Sequence, residues 1–275
     1  MEETVGIFAG NFTTNTGPGK VVNNLLLGLK KNGVEYEINS VCELNGCLQP
    51  TNFNLLPPST VIGPNIMVLP KDMPYVWEMF KYHVSPSIYV KNIYSTFEEV
   101  KNCVIDVWPV GIDTDKFSDR NKNIKYDFLI YYKNRKDEEL SEVIRFLNKN
   151  NFTFNVLKYG TYNEHEFLKL LSESRSCILL TNTESQGIAY MEILSTNTPC
   201  IVYSIESKYN MPHSSAPYFD SRCGIKVDTI NEDVLYTFLQ NHSTYCPRQY
   251  IIENHTLQKS ATNYINLLKK AKEEK

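Results

Sequence analysis

Apolar positions recur along this chain in two alternating rhythms. Short runs such as TVGIFAG (residues 4–10), EYEINSV (35–41) and VIDVWPV (104–110) are bounded by turn formers and predict strands. PNIMVLP (64–70) and YHVSPS (82–87) predict two more. Between them lie stretches with an apolar residue every three or four positions. GPGKVVNNLLLGLKKNG (17–33) predicts a loop and an amphipathic helix stopped by Gly33; PYVWEMFK (74–81) and SIYVKNIYSTF (87–97) predict shorter helices. A second series starts at the strand YDFLIYY (126–132) and the helix DEELSEVIRFLNKN (137–150). It continues through the strand FTFNVLKYG (152–160), the helix NEHEFLKLLSES (163–174) and the strand SCILLT (176–181), and ends on the helix GIAYMEILSTN (187–197) and the strand PCIVY (199–203).

Strands alternating with helices imply parallel sheets covered on both faces, and two such series imply an α/β chain of two Rossmann-like domains. The boundaries expected from the pattern are 1–110 and 124–255. The polar, turn-rich segment 111–123 reads as a linker, with Asp113 and Asp115 capping turns. Residues 256–275 have helical spacing and a charged tail, and read as a terminal helix with a solvated end.

Composition narrows the function classes. A chain of 275 residues, 42% hydrophobic, can bury one large core or two modest ones, and its length favours two. Its 28 basic and 31 acidic side chains give a net charge of -3, which argues against a nucleic-acid protein held by a broad basic face but allows a local basic pocket. The first residues lack the basic start, apolar run and cleavage site of a signal peptide, and no apolar stretch reaches the roughly 18–20 residues of a membrane span. A soluble, cytoplasmic protein is expected. The seven cysteines are irregularly spaced, without a Cys-x-x-Cys pair or a neighbouring histidine cluster, so buried free thiols are expected rather than a zinc site or a disulfide framework. The five histidines are scattered, with no pair at metal-ligand spacing.

Three stretches carry candidate chemistry. TNTGPGKVV (14–22) places Gly17 and Gly19 between a strand and a helix, where a phosphate can approach backbone N–H groups; a plain tight turn reads equally well. It is not a P-loop, because Val21 follows Lys20, and it lacks the third glycine of a dinucleotide fingerprint. YYKNRK places Lys133, Arg135 and Lys136 beyond a strand's carboxyl end, where α/β sheets bind ligands, although a solvated loop is the plainer reading. TESQGIAYMEI puts Glu184 in a loop after a buried strand, and Gly187 opens a helix that carries Glu192. Each carboxylate can accept hydrogen bonds from two hydroxyls at once, so the pair suits a ligand with two vicinal diols, such as a sugar and a ribose. For Glu192 alone, a surface glutamate is the default reading.

Together these stretches resemble the retaining glycosyltransferases of the GT-B fold, specifically the group 1 (family 4) class. Glu184 and Glu192 match that class's Glu-x7-Glu signature within ESQGIAYMEILSTNTPCIVY, and VWPVGIDTDKF is similar to its interdomain segment. The resemblance is good over residues 108–203 and weaker outside them. It implies two Rossmann-like domains facing a central cleft, with a shortened N-terminal domain. It implies transfer of a hexosyl or pentosyl group from a nucleoside-diphosphate sugar to a glycan, lipid, protein or other hydroxyl acceptor. No metal or other cofactor is implied, and the short first domain allows for a partner protein. By the same resemblance Glu184 accepts from the sugar hydroxyls and Glu192 holds the ribose. Lys133 and Arg135 grip the diphosphate. Gln186, Gly187 and Ile188 present backbone N–H groups to it, and Gly17 and Gly19 approach it from the first domain. Tyr159, Gly160 and Tyr162 border the base.

Overall fold

A computed structural model describes residues 3–13, 16–65, 69–119, 122–204 and 213–273. Thr14 and Asn15 of the glycine loop, and residues 66–68 of the strand expected over 64–70, lie outside the described residues. The chain divides into two compact units, Met1–Gly111 with His255–Lys275, and Ile112–Asn254.

The first unit is built on a six-stranded parallel sheet. Its strands are β1 (Val5–Phe8), β2 (Tyr36–Ile38), β3 (Leu44–Cys47), β4 (Val61–Ile62), β5 (Tyr82–Ser85) and β6 (Val104–Val107), in the order β2-β1-β3-β4-β5-β6. Helices α1 (Gly17–Lys31), α2 (Pro74–Met79) and α3 (Ile88–Tyr94) connect them. Helix α1 begins where Thr16 caps it, its Oγ1 accepting from Gly19 N at 3.1 Å, and Pro18 fits the first turn. Strands β3 and β4 carry no legible period: LNGC contains Asn and Gly, and β4 has two residues.

The second unit holds a five-stranded parallel sheet. Its strands are β7 (Tyr126–Lys133), β8 (Phe154–Lys158), β9 (Ser174–Thr181), β10 (Cys200–Tyr203) and β11 (Gly224–Val227), ordered β11-β10-β9-β7-β8. Helices α4 (Asp137–Lys149), α5 (Glu164–Glu173), α6 (Ile188–Ser195), α7 (Glu232–Gln240) and α8 (Pro247–Asn254) belong to it. Phe128, Ile130, Ile178, Leu180 and Ile201 from three neighbouring strands are fully buried and pack with Val143, Leu147, Leu235 and Phe238 of α4 and α7. β-Strands buried on both faces read as continuous apolar runs, which is why SCILLT and DFLIYY do not alternate.

Two segments sit differently from the plain reading of the pattern. The stretch expected as a linker is packed into the second unit from Ile112 onward. Phe117 is buried against Phe167 at 6.1 Å, its carbonyl accepts from Ser195 Oγ at 2.6 Å, and Arg248 donates to the carbonyls of Thr114 and Phe117. Asp113 does cap a turn, its Oδ1 accepting from the amides of Asp115 and Lys116. The terminal helix α9 (Leu257–Glu273) is part of the first unit. Its Tyr264 ring lies 4.6 Å from that of Trp108, and Trp108 Nε1 donates to Ser260 O at 2.9 Å. α9 also crosses α1 at Gly28, where an added Cβ would come within 2.4 Å of Leu257 O. The seven cysteines are free thiols. No helix among the described residues is long and apolar enough to cross a membrane.

Candidate functional site

The strand order of the second sheet reverses between β7 and β9: the chain steps outward from β7 to β8, then returns to the other side of β7 with β9. Such a switch leaves a crevice at the carboxyl ends of the two strands, the place where open α/β sheets take their ligands. The register pairs Lys133, the last residue of β7, with Thr181, the last of β9. Asn182 N then donates to Lys133 O at 3.1 Å, which draws the loop after β9 across the end of β7.

That loop delivers Glu184 to Lys133. The Lys133 Nζ lies 2.9 Å from both carboxylate oxygens of Glu184, and 4.6 Å above the Tyr159 ring. Glu184 is only 6% exposed. Burial pushes its carboxyl pKa up, while the Lys133 charge and hydrogen bond pull it down. The loop is anchored from its other side as well. Glu184 N donates to Ser214 O at 2.9 Å, Thr181 Oγ1 donates to Ser215 O, and Thr183 Oγ1 is hydrogen-bonded to His213 Nε2.

Helix α6 starts at this point. Gly187 caps it in the left-handed region with φ 74°, and an added Cβ would lie 1.8 Å from Tyr190 Cε1. Glycine is therefore required on both conformational and steric grounds. The amide N–H groups of Gln186, Gly187 and Ile188 have no acceptor among the described residues, as expected at a helix start. With the helix dipole they make this end of α6 electropositive. The Gln186 side chain, 5% exposed, is brought to the same turn with its Nε2 unpartnered among the described residues.

Glu192 lies one turn and a half into α6 and is 2% exposed, not a surface glutamate. Its charge reaches Tyr162, whose phenol is pushed up to about 12, first by burial and then by Glu192, Tyr159 and Glu184. Tyr162 also contacts Tyr131 through their hydroxyls at 3.5 Å and packs its ring 5.3 Å from Phe167. Tyr159 and Gly160 form the exposed turn after β8, with Gly160 at φ 83°. Lys133, Glu184, Gln186, Gly187, Ile188, Glu192, Tyr159 and Tyr162 thus belong to one end of the second sheet.

Arg135 departs from the role the resemblance implies for it. Its side chain is 2% exposed. The guanidinium donates to both oxygens of Glu139 at 2.5 and 2.7 Å, and to the carbonyls of Thr181 and Tyr203 at 3.1 and 2.7 Å. It also lies 4.9 Å over the Tyr203 ring. These bonds use four of its five N–H donors. Arg135 is a clamp that ties β7, β9, β10 and α4 together, and the exposed-side cation is Lys133. Sequence spacing alone did not separate the two; the acidic start of α4, Asp137-Glu138-Glu139, was the signal available.

Gly17 and Gly19 lie in the first unit. Gly17 is open to solvent at the first position of α1, whereas Gly19 is buried where a Cβ would meet Thr13 O at 1.7 Å. The N–H of Gly19 is committed to Thr16, so it serves the turn. Lys136, exposed, precedes α4. Among the described residues no group of three or more His, Cys, Asp or Glu is placed to hold a metal ion.

The sequence matches no protein-family model. It matches no curated protein either. Solved structures do match. An α-glucosyltransferase in complex with UDP and a 13-mer DNA containing an HMU base aligns with a TM-score of 0.69 at 10% identity, over 98% of this chain and 100% of that one. The catalytic domain of starch synthase IV from Arabidopsis thaliana, bound to ADP and acarbose, aligns at 0.62 and 10% identity over 98% and 99% of the two chains. A glycosyltransferase from Rickettsia africae ESF-5 aligns at 0.61 and 10% identity over 98% of each. The fold is GT-B. Two Rossmann-like units are the architecture it shares with these glycosyltransferases.

Proposed function

We propose that this GT-B chain is a retaining glycosyltransferase that takes its sugar from a nucleoside diphosphate. The observation that carries the reading is the Lys133–Glu184 pair at the β7/β9 switch point, beside the open N–H groups at the start of α6. Solved neighbours with UDP or ADP bound support the donor class.

In this reading the donor diphosphate takes Lys133 as its counter-ion and lies against the N–H groups of Gln186, Gly187 and Ile188. Glu184, released from Lys133, accepts hydrogen bonds from the sugar hydroxyls. Glu192 holds the ribose, and Tyr159, Gly160 and Tyr162 border the base. The bond from the anomeric carbon to the phosphate oxygen breaks with its electron pair on that oxygen. Lys133 and the α6 amides stabilise the charge that develops there, without a metal ion in the scheme. The acceptor hydroxyl attacks from the face the diphosphate leaves, and its proton passes to the departing phosphate oxygen. The products are a glycoside of retained configuration and a nucleoside diphosphate.

The acceptor is a glycan, lipid, protein or small hydroxyl compound. The expectation of no nucleic-acid partner rests on net charge alone, and one structural neighbour was solved with DNA, so hydroxymethylated DNA joins the acceptors to be tested. The reading places the protein in the cytoplasm, where such donors are abundant. The experiment is a thermal-shift screen with UDP, GDP, ADP and their sugars, followed by donor-hydrolysis and transfer assays on the wild type, Lys133→Ala and Glu184→Ala. A bound donor raises the melting temperature by mass action. Both variants are expected to lose at least 100-fold in turnover; undiminished turnover in both overturns the reading. Nucleotide binding without turnover on any acceptor reduces it to a binding module.

A further inference from the structure

A second group of cations lies at the opposite end of the second sheet. A cleft of about 390 Å³ opens there, lined by Lys116, Lys122, His165, Lys169 and Thr196, with Leu168 and Leu171 as its apolar wall. The size falls within the roughly 300–1,000 Å³ usual for small-ligand sites. Leu171 comes just before β9, Lys122 just before β7 and Thr196 just before β10, so the cleft borders the amino-terminal ends of these strands. The Lys133–Glu184 pair follows their carboxyl ends. Strand β9 has eight residues and so separates the two places by roughly 25 Å.

The cations are held in unequal ways. Lys116 is paired with Glu164 at 2.6 Å. Lys122 is half-buried and fixed, its Nζ donating to Leu171 O at 2.9 Å and Thr198 Oγ1 at 2.7 Å. No carboxylate among the described residues forms an ion pair with it; burial draws its pKa down to about 8, against the opposing charge of nearby Asp119. An ammonium has three donors, so one N–H remains for a ligand. Lys169 is likewise without an ion-pair partner among the described residues. The cleft thus holds two ammonium groups with no ion-pair contact among the described residues, Lys122 feeling the more distant charge of Asp119, which is itself paired with Arg248 at 3.5 Å. Lys122 comes from the segment that enters β7 and Lys169 from α5, and a phosphate dianion carries the two charges and the several oxygens that could meet both ammonium groups. A tetrahedral phosphate offers oxygens to each side.

We propose that this cleft is a second binding site, separate from the Lys133 site, for a phosphate dianion, supplied either as inorganic phosphate or as the monoester of a small metabolite. Lys122 and Lys169 carry the contact, with Lys116 and the Thr196 hydroxyl at its border.

The test is calorimetric titration of inorganic phosphate and, separately, of glucose 6-phosphate into the full chain and three variants, Lys133→Ala, Lys122→Met and Lys169→Glu. A saturable phosphate site that persists within twofold in Lys133→Ala is expected, whether or not the Lys133 site adds a second one in the wild type. Affinity should fall at least tenfold in Lys122→Met and at least fivefold in Lys169→Glu. Lys169 is a surface residue, so its variant decides the matter even if Lys122→Met fails to fold. Tenfold tighter binding of the ester identifies an organic source, and equal affinity identifies free phosphate. No saturation of either probe, equal affinity in wild type and Lys169→Glu, or loss of binding in Lys133→Ala overturns the proposal. The same variants keep it distinct from donor binding: a failed donor reading leaves the Lys122 and Lys169 results standing.

Discussion

At the end of β7 the Lys133 ammonium is held between the Glu184 carboxylate and the Tyr159 ring, while two residues later the Arg135 guanidinium is sealed between α4 and the ends of β9 and β10. The two cations therefore answer to different measurements. Lys133→Ala removes the counter-charge of a buried carboxylate whose pKa burial already raises. Its melting temperature is expected to fall by less than that of Arg135→Lys, since Lys133 makes one ion pair and Arg135 four hydrogen bonds, with nucleotide affinity at least tenfold weaker by titration. Arg135→Lys keeps the charge but loses the bidentate fork and at least one carbonyl contact. It is expected to lower denaturant stability by about 2–4 kcal/mol, with nucleotide affinity of the folded protein within threefold of wild type. The opposite pattern in either variant would reverse the assignment of roles. The residue types were visible in YYKNRK; which of them is spent on the fold was not, because the partners of Arg135 come from positions 139, 181 and 203.

Helices α6 and α9 show how much a single glycine sets at the scale of an element. The start of α6 depends on Gly187, whose φ is 74° and whose missing Cβ leaves room for the Tyr190 ring. Tyr190 is in turn fixed by its hydroxyl, which accepts from Tyr218 N at 2.8 Å. Gly187→Ala is expected to cost about 1–3 kcal/mol in strain and to abolish the thermal shift by nucleotide, because the helix start can move only by displacing Tyr190. In the first unit, Gly28→Val places side-chain atoms against the Leu257 carbonyl and the Ala261 side chain. It should lower stability by about 2–4 kcal/mol and raise hydrogen exchange along α9 before that of β7 to β9. The helix α6 itself was legible from an apolar run, a glycine and a new period. Strands β3, β4 and β11 were not, since two to four residues cannot display a period and the pairing with longer neighbours decides them.

Across the whole molecule, buried histidines set an acid limit. His83 stacks on Trp77 at 3.9 Å, and burial lowers its pKa to about 4; His255 is lowered to about 4 for the same reason. Both belong to the first unit. The unfolded chain binds these protons near the ordinary value of about 6.5, so it holds more protons than the folded chain between pH 6.5 and 4. Stability is then present above that window and falls as the pH drops through it, by about 2–4 kcal/mol for each group. Denaturation monitored at pH 7.5, 6 and 5 should show this loss, and His255→Gln should flatten it by about half. A profile unchanged by the substitution would place the acid limit elsewhere.

By itself the sequence determined the alternation of strands and helices, the doubling of that pattern, and the carboxylate–glycine–carboxylate spacing from Glu184 to Glu192. These follow from local periodicity and from the backbone demands of one glycine, both of which are written in neighbouring residues. Only the tertiary structure decided the strand orders, the packing of Ile112–Phe117 against Phe167 and Ser195, the return of α9 to the first unit, and the burial of Glu192. It also decided that Lys133 meets Glu184 across 51 positions, because β9 pairs with β7 and sets Thr181 beside Lys133. Charge partners are chosen by which strands become neighbours, and that choice is made by burying apolar faces over the whole sheet, not by any short stretch of chain.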